Sequence, residues 1–142
     1  MRRAYVFAGS IVLMALGVIQ LLMPQILSYP SSETFAHWNA IVAGILVIAF
    51  GAWSAIVRPA PERLRATLVS GAPTLAVIAL AVYLLVVCFA LLYTRIGRIN
   101  TFWEMALAMA ILVIAISVEH SRLSHMTVVS RDTAAMAAEV RA

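Results

Sequence analysis

Four uninterrupted apolar runs constrain this chain more than any other feature: residues 5–26, 35–57, 72–93 and 101–118 in outline. A helix needs about 20 apolar residues to cross the hydrocarbon core of a bilayer. None of the runs shows the period-two alternation of barrel strands. Lipid offers no partner to backbone N–H and C=O groups, so each crossing must satisfy its own, and only helices do that within one segment. The expected fold class is an all-α membrane protein of four transmembrane helices.

Composition agrees. Of 142 residues, 64% are hydrophobic and 11% charged, and the mean hydropathy is +1.02. A soluble domain is nearer half apolar. The formal charge of +4 is no nucleic-acid signal, because the Arg residues stand at the ends of the apolar runs, where orientation in a membrane requires them. Met1-Arg2-Arg3 and the run after it read as a retained first helix; the run is too long for a signal-peptide core and no clean cleavage site follows.

The connections then define the units. Residues 1–57 form a first transmembrane hairpin, 58–71 a loop with the Arg/Pro segment Arg58-Pro59-Ala60-Pro61-Glu62-Arg63-Leu64-Arg65, 72–119 a second hairpin, and 120–142 a tail. In the tail, Val129, Thr133, Met136 and Val140 recur at helical spacing, so an amphipathic helix and disorder are both compatible with it. With the N-terminus inside, Arg2, Arg3, Arg58, Arg63, Arg65, Arg122, Arg131 and Arg141 fall on the inner side, and only Arg95 and Arg98 outside. By the positive-inside rule both termini are cytoplasmic, in a bacterial inner membrane.

A Trp-led segment occurs twice. Trp38-Asn39-Ala40-Ile41-Val42-Ala43-Gly44 returns in outline as Trp103-Glu104-Met105-Ala106-Leu107-Ala108-Met109, at an offset of 65 residues. Each copy opens the second run of a pair. Both units start on the same side, which makes them tandem parallel repeats rather than inverted ones. The first unit also ends its opening run in Gly17-Val18-Ile19-Gln20-Leu21-Leu22-Met23-Pro24. These features resemble the SPW repeat family of small prokaryotic membrane proteins, over residues 10–57 closely and 75–119 more distantly. The naming tripeptide stands here as Met23-Pro24-Gln25, and the second unit has Phe89 where the proline would align and Met109 in place of Gly44. The resemblance implies a duplicated two-helix unit and no particular chemistry.

Residue by residue, the segment reads as construction. Trp38 and Trp103 are expected to anchor at the interface, where indole can keep its ring apolar and its N–H wet; stacking on a quinone or pigment ring is the alternative. Ala40 with Gly44, and Ala106 with Ala110, are spaced for close helix contact. Asn39 and Glu104 are expected at the headgroup level, with Glu104 near the positive helix start and within reach of Arg95 or Arg98. Together Asn39, Glu104, Arg95 and Arg98 form the candidate outer-side polar site, and an ionisable residue there also admits a proton or ion role.

Catalysis finds no support. Glu104 and Glu119 lie 15 residues apart, about 22 Å along a helix, too far for a carboxylate pair. His37 is predicted outside and His120 inside, so no bis-histidine haem pair forms, and His125 completes the histidines without a metal-ligand cluster. Cys88 reads as a small buried hydrophobe. No phosphate loop, nucleophile elbow or zinc-protease motif occurs. The expected protein is no enzyme and carries no cofactor. It is an accessory or scaffold subunit that associates with lipids, with other membrane subunits or with itself. A small homo-oligomeric transporter or channel is the second reading, and the mid-membrane polar groups available to it are Ser10, Gln20, Tyr83 and Ser117.

Overall fold

The computed structural model describes residues 2–56, 64–92 and 98–139, with side chains at 5–56, 71–90 and 98–124. Four long helices account for nearly all of them: α1 (Arg2–Ile26), α2 (Thr34–Ile56), α3 (Leu64–Val87) and α4 (Arg98–Glu139). A short π-helical turn, Cys88–Leu92, continues α3. All four helices hold a stretch long and apolar enough to cross a membrane: Tyr5–Ile26, Thr34–Ile56, Gly71–Ala90 and Arg98–Ser124. No strand occurs among the described residues. The chain is an all-α protein with the helices of a multi-pass membrane protein.

Two boundaries differ from the sequence reading. The last helix does not stop near residue 118 but runs on to Glu139. The reason is local: from Arg98 to the end of the chain there is no Gly or Pro to break the backbone ladder. Likewise α3 starts at Leu64, inside the stretch read as a loop over 58–71. Pro73 lies within α3 and Pro24 within α1; each removes one backbone donor without ending its helix.

The helices form a ring in which α1 packs on α2 and α4, and α3 on α2 and α4. Neighbours run antiparallel. On α1 and α2, Gly17 meets Gly44 while Ser10 meets Ser54. On α2 and α3, Ser54 meets Thr74 while Asn39 meets Tyr83. On α1 and α4, Gly9 meets Val118 while Gln20 meets Glu104.

The tightest crossing is α1 against α2. A Cβ placed on Gly44 would stand 2.6 Å from the Leu21 amide nitrogen and 2.7 Å from the Gly17 carbonyl oxygen. Lipid supplies no hydrophobic drive between helices, so close backbone approach and dispersion contact must hold them. Ala40 and Ala43 are buried beside Gly44. In the second unit the corresponding pair behaves differently: Ala106 is exposed and Ala110 half-buried. The inward face of α4 is instead Thr101, Glu104, Ala108, Ile111, Ala115 and Val118, alternating by three and four residues as a seam of packed helices does. The small residue at that crossing is Ala108, which packs with Ala43 and Leu84.

The centre of the ring is apolar. Leu13, Val47, Val77, Ala81, Ile111 and Ala115 pack together there. Polar side chains gather at two levels, one on each side of this plug. At one end Ser10 donates to the Val6 carbonyl at 2.9 Å and lies 3.3 Å from Ser54, which lies 3.4 Å from Thr74. The other end holds the more unusual cluster.

Candidate functional site

Glu104 is 2% exposed. The sequence reading puts it at the headgroups, within reach of Arg95 or Arg98; the structure turns it into the bundle. It lies six residues past the start of α4 at Arg98, about 9 Å along the axis, and on the buried seam. Its carboxylate accepts from two neutral donors. Gln20 Nε2 of α1 donates to Oε2 at 2.7 Å, and the Tyr29 hydroxyl donates to Oε1. Charge-assisted bonds of this kind are roughly twice as strong as neutral ones.

Local backbone chemistry brings Tyr29 there. At the end of α1, Ser28 takes the left-handed conformation with φ 50°. The Tyr29 N–H then reaches back to the Pro24 carbonyl at 3.1 Å, the six-to-one bond of a Schellman-type helix end. The reversal folds Tyr29 inward, to 6% exposure. Its ring packs with Ala36, Val87 and Cys88 and meets His37 edge-on at 5.7 Å between centroids. Burial, and the Glu104 carboxylate beside it, hold the Tyr29 phenol above the usual tyrosine range, so it stays a donor. Asn100 completes this end, donating to the Leu27 carbonyl at 3.2 Å.

Gln20 is fully buried, on the same face of α1 as Leu13, Gly17 and Pro24. Its amide nitrogen is used, but its Oε1 has no hydrogen-bond partner. A buried amide oxygen left unpaired costs free energy, about 1–3 kcal/mol. Cys88 is also fully buried, at the first residue of the π-helical turn. Such turns are often found at functional sites.

The remaining candidates scatter. Trp38 and Trp103 are 62% and 50% exposed, on the outer surface of the bundle. Asn39 is half-buried and accepts from the Tyr83 hydroxyl at 3.1 Å, apart from Glu104. Arg98 is exposed at the first residue of α4, and Arg95 lies outside the described residues. Asn39 therefore pairs with Tyr83, while Glu104 is held by Gln20 and Tyr29. At the opposite end Glu119 and Arg122 form an ion pair on one face of α4, with Arg122 Nε donating to Glu119 Oε2 at 3.0 Å. The Arg122 guanidinium occupies the space where a Cβ on Gly71 of α3 would stand.

Sequence reasoning named Gln20 only as a mid-membrane polar residue and passed over Tyr29. A signal for Gln20 exists in its place on the Leu13–Gly17–Pro24 face. None exists for Tyr29, whose position depends on one left-handed residue. Among the described residues no group of three or more His, Cys, Asp or Glu could hold a metal ion. No protein-family model, no curated protein and no solved structure matches the chain.

Proposed function

We propose that this chain is an accessory or scaffold subunit of a bacterial cytoplasmic membrane, with both termini cytoplasmic, working through contact with lipids and partner membrane helices. One observation carries the reading: the ring is filled at its centre by Leu13, Val47, Val77, Ala81, Ile111 and Ala115, between two separate polar levels. One copy thus has an apolar centre that separates its two buried polar levels. That outer surface is broad and apolar, with Trp38, Phe89, Phe102 and Trp103 exposed at the Glu104 end. Aromatic residues there suit the interface, and the apolar band between suits lipid or a neighbouring helix. The Trp-led duplication and the SPW-type unit belong to this same reading, as the construction of such a bundle from two parallel repeats.

The experiment is purification from the native membrane in a mild detergent, followed by identification of what accompanies the chain. A larger complex in fixed stoichiometry is the expected result. A lone homo-oligomer that lets a specific solute leak from liposomes overturns it in favour of the transporter reading. The observation favouring that second reading is Glu104 itself, since carboxyl groups buried in membrane helices often mark ion or proton paths.

A further inference from the structure

We propose that Gln20, Tyr29 and Glu104 form a membrane-embedded binding site for one exchangeable proton, with the Gln20 amide as the part that changes state. The proposal goes beyond an associating role and does not depend on it. Its basis is hydrogen-bond accounting. When Glu104 is ionised, Oε1 accepts from Tyr29 and Oε2 from Gln20 Nε2, and Gln20 Oε1 is left without a partner. When Glu104 is protonated on Oε2, the new O–H needs an acceptor. The unpaired Gln20 Oε1 is that acceptor, reached by a half-turn of the amide about its last torsion, which exchanges the oxygen and the nitrogen. Tyr29 keeps donating to Oε1 in both states. The cluster thus has a partner for the carboxyl group whichever form it takes, at the cost of one idle amide atom each time.

The proton balance is simple. One proton comes from water and bonds to Glu104 Oε2; on release it returns to water. Tyr29 belongs to the loop at residues 27–33 between α1 and α2, so the carboxylate lies one side chain from the surface at that end. No space beyond the existing side chains is needed, which suits a proton rather than a metal ion or organic ligand.

The other groups facing the site allow this role. From the loop, Tyr29 is kept neutral by its burial. From the π-helical turn, Cys88 packs against Tyr29. From α2, His37 touches the Tyr29 ring edge and is half-buried. From α1, Gln20 is neutral. Both hydrogen-bond partners of Glu104 are therefore uncharged: they favour the carboxylate by hydrogen bonding, but neither supplies a countercharge that would lock it in the ionised form.

The test is infrared difference spectroscopy on the full chain in phosphatidylcholine vesicles, titrated from about pH 4 to about pH 10, the interval between ordinary carboxyl and phenol titration. The expected result is one buried carboxylic C=O band that converts to carboxylate bands, moving together with a glutamine amide C=O band. Glu104→Gln is expected to abolish the carboxylic band. Gln20→Leu is expected to shift its frequency and to raise the apparent proton affinity by roughly tenfold, because the bond lost from the carboxylate is the stronger one. A carboxyl group that stays in one form across the range overturns the proposal, as does a band that survives Glu104→Gln. So does an amide band that stays still while Glu104 titrates. Should Glu104→Gln fail to accumulate, Tyr29→Phe reads the same site: it removes one donor to the carboxyl group, and an unmoved band then overturns the proposal too.

Discussion

The Tyr29 hydroxyl shows how one side chain can set the chemistry of a buried carboxylate. Its phenol is held above the usual range, first by burial and then by Glu104. A phenol raised in the folded state adds stability that is fully present below its unfolded value, about pH 10, and is lost as pH rises beyond it. Unfolding in detergent is therefore expected to become easier above about pH 10, by up to about 1.4 kcal/mol per pH unit from this group. In Tyr29→Phe that part of the slope should vanish. Ultraviolet titration checks it independently: the Tyr29 phenol should ionise only on unfolding, and that step should be missing in Tyr29→Phe. Glu104→Ala is the harsher change. It strands the Gln20 amide N–H and the Tyr29 O–H, at about 1–3 kcal/mol for each buried donor. The variant is expected to unfold at clearly lower denaturing-detergent fraction than the wild type, by circular dichroism.

At the scale of helices, the two Trp-led copies part company. In the first, Gly44 lets α2 touch the backbone of α1 at Gly17 and Leu21. In the second, Ala106 faces outward and Ala108 takes the contact. Gly44→Ala forces two backbones apart, and overpacking of this kind costs about 1–3 kcal/mol. Ala106→Leu should change the stability of the isolated chain by less than about 0.5 kcal/mol, the usual range for surface positions. Equal losses in the two variants would sink the assignment of the α1–α2 crossing. The same reasoning applies to Gly71, where an added methyl group meets the Arg122 guanidinium and is expected to disturb the Glu119–Arg122 pair.

For the molecule as a whole, the arginine distribution argues for a definite orientation. In a Cys88→Ala background, single cysteines at Ser32 and Arg63 are expected to react with an impermeant reagent from opposite sides of the membrane. Labelling of both from one side would overturn the hairpin arrangement, in which α2 crosses between them. Much of this architecture was readable beforehand. The four apolar runs appear as the helical stretches Tyr5–Ile26, Thr34–Ile56, Gly71–Ala90 and Arg98–Ser124, because their length and composition leave lipid-compatible backbone no other form. The tail's helical spacing left helix and disorder both open, and the structure carries α4 through it to Glu139. What could not be read was rotation about each helix axis. Glu104 at the headgroups and Glu104 in the bundle differ by a partial turn of α4, and apolar residues surround it on both sides in sequence. The sequence by itself thus determined the number of crossings and the solvent they need, since those follow from run length and transfer free energy. Tertiary structure alone decided that Glu104 meets Gln20 and a tyrosine from a surface loop. That meeting depends on the seam of small residues that sets each helix's facing, and on Ser28 in a left-handed turn that folds Tyr29 inward.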